Sequence, residues 1–297
     1  MGYGAWKTEE WRSYSSARIS GRSVGEIYNA RFTDPKYDPK NITMRESCDS
    51  ADHPISTPII IGLDVTGSMS NILTVTAQKL GDMVKELLDR RPVEGPQIMF
   101  NAVGDSTCDS SPLQATQFES DIRIAHQLTD LWFERGGGGN GFESYPLVWY
   151  FAATRTRSDA WDKRRQKGII ITMGDDCFPE YIRADEIERV FGDRVYENVD
   201  TRALLDEVSK RYEVFHLMLM QGGSAGQVQP DRWRKLMGER AVIVDDYQRL
   251  PQVILSMIEY AGNKQDSENA VLQRDEKFIF GNMNDEKRGF FRRKIGF

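Results

Sequence analysis

The chain has 297 residues, of which 45 are acidic and 39 basic, a formal charge of −6 that excludes a dedicated nucleic-acid binder. Hydrophobic residues make up 39%, as in a folded globular chain, and the length allows one large domain or two small ones. No apolar run approaches the ~20 residues of a membrane helix, and the start MGYGAWKTEEWRSYSS has charges where a signal peptide carries its apolar core, so a cytoplasmic location is expected.

Residues 1–55 are polar and rich in turn signals, with the tripeptide Asp-Pro-Lys repeated at Asp34 and Asp38. They also carry Tyr3, Trp6, Trp11, Tyr14, Tyr28, Phe32 and Tyr37, more aromatics than a disordered tail usually holds. The expectation is an irregular arm with little regular structure, lying on the body or on a partner.

From Pro58 the pattern changes. Ile59 to Leu63 is a continuous apolar run ending at Asp64, as in a strand buried on both faces. A periodic helix follows, its apolar positions Leu73, Ala77, Leu80, Val84 and Leu87 stepping by 4, 3, 4 and 3. Gln97 to Val103 reads as a second strand ending at Gly104-Asp105, then a polar loop to about Glu119, and a stretch from Ile122 to Phe133 that is a helix or an edge strand plus helix. Gly136 to Gly141 break the chain ahead of a buried helix opened by Pro146 and running to about Thr156. Lys167 to Met173 is the third buried strand, ending at Gly174-Asp175-Asp176. Helices near 185–191 and 201–211, a fourth strand at 213–220, a helix from Pro230, a short strand at 241–244 and a helix at about 251–260 complete the series. Strand and helix alternating at this spacing predict a doubly wound α/β fold, with a mostly parallel central sheet flanked by helices on both faces. The domain then spans 56–262, between the arm (1–55) and a polar, basic tail (263–297) whose end is read as solvated.

Three of the buried strands end in carboxylates: Asp64, Asp105 and Asp175, with Asp176 beside the last. Stacked at one sheet edge these repel one another unless something positive lies between them. Asp64-Val65-Thr66-Gly67-Ser68 adds hydroxyls at the second and fourth positions after the Asp, so one tight loop can aim a carboxylate and two neutral oxygens at a common point. Oxygen donors without His or Cys suit a hard divalent cation: magnesium, manganese or calcium. The plainer alternative is that Asp64, Thr66 and Ser68 cap the following helix.

At these residues the sequence resembles the von Willebrand factor A-type family, whose metal-ion-dependent adhesion site is built on a DxSxS or DxTxS loop after the first strand, here Asp64, Thr66 and Ser68. The family's last ligand is an Asp at the end of a central strand, and Asp175 in ITMGDD is similar to it. Its middle ligand is usually a Thr in a GGT-type loop, from which GGGGNGFES departs. A branch including integrin β subunits and several intracellular members has a Gly-rich loop ending in Pro-Glu with the Glu on the metal, and Glu143 resembles that Glu, with Phe142 in place of the proline. The resemblance covers roughly Pro58 to Tyr260. It implies an intracellular, bacterial or phage-like member in which Asp64, Thr66, Ser68, Glu143 and Asp175 hold a divalent cation, magnesium first among the three. Asp105, Asn140 and Asp176 are the further candidates for contact with the ion or a partner. A partner's Asp or Glu would complete the coordination, in a scaffold or adaptor role for which the family's AAA+ ATPase associations supply one candidate partner. No catalytic residue is implied, nor contact with membrane or nucleic acid.

Two competing readings are an Asp64-nucleophile hydrolase like the haloacid-dehalogenase family, and a structural phage or bacterial assembly protein acting through its arm and tail. The first resembles its DKTGT loop in DVTGS, but the cation such chemistry needs has only Lys163 and Lys167 as candidates, both just before the third strand. Gly136, Gly138 and Gly141 fit GxGxxG, but they follow a helical pattern where a dinucleotide site needs a strand. His53, His126 and His216 form no metal-ligand spacing, and His216 inside a strand reads as a packed or hydrogen-bonded histidine. Cys48, Cys108 and Cys177 form no CxxC pair, so reduced, buried or incidental thiols are expected.

Overall fold

A computed structural model describes residues 4–134, 140–221 and 227–262. The Gly136 to Gly139 part of the glycine run and the basic tail lie outside the described residues. The strands are β1 (Arg45–Ser47), β2 (Thr57–Asp64), β3 (Pro96–Val103), β4 (Leu113–Ala115), β5 (Thr156–Ser158), β6 (Gly168–Gly174), β7 (Tyr181–Ile182), β8 (Val199–Asp200), β9 (Tyr212–Leu219) and β10 (Ala241–Val244). The helices are α1 (Thr8–Arg18), α2 (Val24–Ile27), α3 (Ser70–Arg90), α4 (Arg123–Asp130), α5 (Pro146–Arg155), α6 (Asp159–Arg164), α7 (Ala184–Phe191), α8 (Thr201–Val208), α9 (Pro230–Met237) and α10 (Leu250–Gly262). None of the described helices is long and apolar enough to cross a membrane.

Six strands form the central sheet in the order β10-β9-β6-β2-β3-β4, parallel except for the β3–β4 edge pair. Every residue of β2, β6 and β9 is buried, because helices cover both faces and an all-apolar run is stable only there. Ile59, Ile61 and Leu63 pack with α3, α4 and α10 on one face, and Ile60 packs with α5, α7, α8 and α9 on the other. This is the doubly wound α/β arrangement. The chain leaves β2 through α3 on the first face toward β3, while β6 lies on β2's other side and continues to α7 and α8 on the second face. The carboxyl ends of β2 and β6 therefore flank the switch point at which ligands bind in such sheets.

Two expectations need correction, and one left open is decided. The first 55 residues are not an irregular arm throughout: Thr8–Arg18 is an 11-residue helix. Its polar sequence shows little amphipathic periodicity, so pattern reading misses it. It is held by docking, with Trp11, Ile19, Ile27, Tyr28 and Tyr37 all buried in the same core cluster as α3. The loop expected to run to Glu119 contains β4, whose three residues are too few to show alternation. Its Gln114 is buried, and the amide both donates to the Trp132 carbonyl (2.8 Å) and accepts from the Trp132 N–H (2.9 Å). The ambiguous stretch at 122–133 resolves as α4 without an edge strand, burying Ile124, Ala125 and Leu128.

Docking of α1 depends on Gly81 in α3, where a methyl group would overlap the Trp11 indole. Gly81→Ala is expected to expel that ring and destabilise the protein by roughly 1–3 kcal/mol, with faster limited proteolysis within the first 30 or so residues. Unchanged cleavage there would show that α1 does not rely on this contact.

Candidate functional site

Asp64 is the last residue of β2 and is fully buried. Its Oδ1 accepts from the Thr66 backbone N–H (2.9 Å) and the Thr66 hydroxyl (2.6 Å), closing a tight turn directly off the strand. Thr66 Oγ1 lies 3.2 Å from Ser68 Oγ, and Ser68 donates to Asp175 Oδ1 at 3.0 Å. A continuous chain of side-chain oxygens thus crosses from the end of β2 to the residue after β6. Neither Thr66, which opens the short 3-10 turn Gly67–Met69, nor Met69, which opens α3, makes a side-chain capping bond. The helix-capping alternative therefore does not describe these side chains, which point at one another across the switch point.

Asp64 Oδ2 accepts from the Tyr145 hydroxyl at 2.9 Å, so the carboxylate is fixed at both oxygens. Gly174 makes room for this: a methyl group there would overlap the Tyr145 hydroxyl and lie 2.7 Å from Asp64 Oδ2. Behind Tyr145, the His216 Nδ1 is 2.9 Å from Thr172 Oγ1 and its ring stacks on Trp233 at 3.5 Å. Burial holds its pKa well below the usual histidine value, so His216 is a neutral, packed histidine as expected from its place in a strand.

Glu143 is brought in by the end of the glycine-rich loop. Phe142 makes an isolated parallel bridge with Cys177, and the Glu143 N–H donates to the Cys177 carbonyl at 2.9 Å. Ser144 ties the same segment to the exit of β3, through its N–H to the Gly104 carbonyl (3.2 Å) and its hydroxyl, which accepts from the Ser106 N–H (2.8 Å). Glu143 is buried and its Oε2 has no hydrogen-bond partner among the described residues. Burial, followed by the charges of Asp64, Asp105, Asp109 and Asp176, pushes its pKa far above the ordinary carboxylate range. Burial and then Asp175 push Asp64 in the same direction. Asp176 is raised to about 6 by burial and by Asp175 and Asp105; its Oδ1 is likewise buried without a partner among the described residues.

Asp105 is held at both oxygens as Asp64 is, but by other partners. Its Oδ1 takes the Thr107 N–H and hydroxyl, both at 2.7 Å, and its Oδ2 takes the Asn140 amide at 2.7 Å. The two residues are therefore bonded to each other, Asp105 tethering the exposed Asn140 end of the glycine-rich loop. Arg189 donates to the Ser106 and Asp109 carbonyls and pins the same turn.

No group of three His, Cys, Asp or Glu side chains among the described residues is arranged to hold a metal by itself. The Thr66 and Ser68 hydroxyls are what join Asp64 to Asp175, so a cation here would be held by a mixed set of carboxylates and hydroxyls. That set, together with the unpartnered Glu143 oxygen, fits a hard divalent ion. Lys163 and Lys167 lie elsewhere: Lys163 pairs with Asp49 and Asp159, and Lys167, just before β6, bonds the Ser209 carbonyl. Cys177 is buried, as expected, whereas Cys108 is exposed. Local desolvation of the sulfur, then hydrogen bonding to Asp105, push the Cys108 thiol up to about 12, the reverse of a reactive thiolate.

Sequence patterns miss Tyr145, Gly174 and Ser144. Each acts through a contact across the fold, and the one local signal is that Ser144 and Tyr145 stand between Glu143 and the helix-opening Pro146.

No protein-family model matches the chain, and no curated protein sequence matches it. Among solved structures, the chain is similar to proximal thread matrix protein 1 from the mussel byssus, with 14% identity over 72% of this chain and 49% of that one, TM-score 0.45. A structure of the same mussel protein with a zinc-occupied MIDAS motif gives 16% identity over 72% and 48%, TM-score 0.43. The pilus adhesin SpaC from Lactobacillus rhamnosus GG, in its open conformation, gives 10% identity over 70% and 30%, TM-score 0.48. The chain thus spans about half of the mussel protein and under a third of the adhesin.

Proposed function

We propose that the protein is a divalent-cation-dependent protein-interaction module of the von Willebrand factor A type, serving as a scaffold or adaptor in an intracellular assembly and carrying no catalysis of its own. Asp64, Thr66, Ser68, Glu143 and Asp175 would hold the ion, with magnesium the first candidate. An Asp or Glu of the partner, an AAA+ ATPase being one candidate, would be the additional ligand. The observation that carries this reading is the oxygen chain Asp64–Thr66–Ser68–Asp175 at the switch point, buried except at the half-buried Ser68, with the buried Glu143 Oε2 left without a partner among the described residues. Buried carboxylates that raise one another's pKa are costly without a positive charge among them, and a 2+ ion offsets them directly. When bound, such an ion supplies a Lewis-acidic position that favours an incoming carboxylate over neutral groups. This chain's residues orient it: Tyr145 and Thr66 fix the Asp64 carboxylate, and Ser144 fixes the segment that carries Glu143.

The test combines metal calorimetry with affinity recovery from cell extract. Wild-type protein is expected to bind one magnesium ion and to recover partners in magnesium but not in EDTA. Asp64→Ala should weaken the ion by roughly a hundredfold or more and lose the same partners. Unchanged metal affinity and recovery in Asp64→Ala would overturn the reading.

A further inference from the structure

Beside Glu143 opens a cleft of about 360 Å³, bordered by Asp105, Phe142, Tyr181, Arg183 and Arg232 among others. Its two cations are in different states. Arg183 lays its guanidinium on Asp185 through two 2.8 Å hydrogen bonds, so its fork is already engaged. Arg232 is stacked instead: its guanidinium carbon lies 5.0 Å from the Phe142 ring centre and 4.8 Å from that of Phe178. Among the described residues its ion-pair contact is Glu180 at 3.8 Å, and the Glu180 side chain is 80% exposed. That separation is too long for a hydrogen bond, and a pair so exposed contributes little. The two rings hold the guanidinium at the cleft, where it also bonds the Cys177 thiol; one thiol contact engages one of five N–H donors, and the others suit binding of a carboxylate.

Arg232 is also joined to the site. Phe142 directly precedes Glu143, and Trp233, which follows Arg232, donates its Nε1–H to the Asp176 carbonyl at 3.2 Å. The acids that line the cleft are mostly engaged: Asp105 with Thr107 and Asn140, and Glu186 with the Arg183 N–H. The half-exposed Tyr181 adds an apolar wall.

We propose that Arg232 is the anchor for a second carboxylate of the partner, so that the segment recognised is an acidic peptide with one acid directed to the cation site and another seated on Arg232 in this cleft. This rests on the cation-dependent reading above and specifies which partner segments it would select. Charge complementarity favours this occupant: the cleft holds a cation packed between two rings, next to a site that would itself take a carboxylate.

The probe is a panel of N-acetylated, C-amidated peptides carrying one Asp and one Glu separated by glycine spacers of increasing length, each with a control in which Glu is replaced by Gln. Binding is measured in magnesium and in EDTA. Wild-type protein is expected to bind at least one two-acid peptide about three- to tenfold more tightly than its control. Arg232→Gln should erase that preference while keeping magnesium-dependent binding of the control, which also shows that the variant is folded. Arg232→Lys, which keeps the charge but not the planar fork, should retain only part of it. Magnesium-dependent binding with no preference for two acids, or a preference that survives in Arg232→Gln, overturns the Arg232 proposal alone. Binding of neither peptide in magnesium overturns the cation-dependent reading, and this inference with it.

Discussion

Glu143→Gln is expected to melt at a higher temperature than wild type in EDTA at pH 7.5, and to lose most of the response to magnesium. The substitution keeps the size of the side chain and removes a carboxyl group that is buried, has an unpartnered oxygen and stands among the charges of Asp64, Asp105, Asp109 and Asp176. In the metal-free protein that group is a burden, and its removal should add roughly 1–3 kcal/mol of stability, about 2–8 °C for a chain of this size. Wild type should recover a comparable amount when magnesium is added well above its dissociation constant.

The pH dependence gives the same prediction a sign. Asp64, Glu143 and Asp176 all have pKa values raised in the folded state, against about 4 for carboxyl groups in an unfolded chain. Between those values the folded state holds more protons than the unfolded one, so stability contributed by these groups falls as pH rises from about 4 through the raised values. This is opposite to a salt-bridged carboxylate, which loses stability on acidification. Metal-free wild type should therefore lose stability relative to Glu143→Gln between about pH 4.5 and 7.5, and magnesium, which competes with those protons, should stabilise wild type at pH 7.5 more than at pH 5. A Glu143→Gln protein that melts at or below wild type in EDTA, with its magnesium response intact, would remove Glu143 from the cation site.

The sheet and its acidic edge were legible because their signals are local. Ile59 to Asp64 and Ile169 to Asp175 are short, largely apolar runs that stop at a carboxylate, and the stepping of Leu73 to Leu87 marks a helix with one buried face. The hydroxyls of Thr66 and Ser68 could be placed because the turn after β2 closes within four residues. What sequence could not show is long-range. Helix α1 is polar and exists through the seat for Trp11 at Gly81. Asp105 follows a strand much as Asp64 ends one and is likewise bonded at both oxygens, but its partners are Thr107 and Asn140, where Asp64 leads through Thr66 and Ser68 to Asp175, a difference only the folded loops reveal. Arg232 lies 89 positions after Glu143 in the chain and reaches the site through ring contacts that no spacing rule encodes.

Gly174→Ala should cost about 2–4 kcal/mol and disable the cation site in the same step. The backbone at Gly174 is not in the left-handed region and gives no conformational reason for glycine; the constraint is space. At the end of β6 the missing side chain leaves room for the Tyr145 hydroxyl and Asp64 Oδ2, which are hydrogen-bonded at 2.9 Å. A methyl group must push Tyr145 toward His216 and Trp233, against which its ring already packs at 4.8 and 5.6 Å, or displace the Asp64 carboxylate from Thr66. Either movement breaks the fixed orientation of Asp64 on which the proposed cation binding depends. Tyr145→Phe alone should be milder, leaving the core packed while freeing Asp64 Oδ2, with a magnesium affinity weakened roughly tenfold as for loss of a supporting hydrogen bond to a ligand. Combining the two tests the steric argument: removing the hydroxyl relieves the worst overlap, so Gly174→Ala with Tyr145→Phe should be less unstable than the sum of the single variants by roughly 1 kcal/mol or more. Strict additivity in chemical denaturation would show that the methyl group at position 174 is resisted by something other than the Tyr145 hydroxyl.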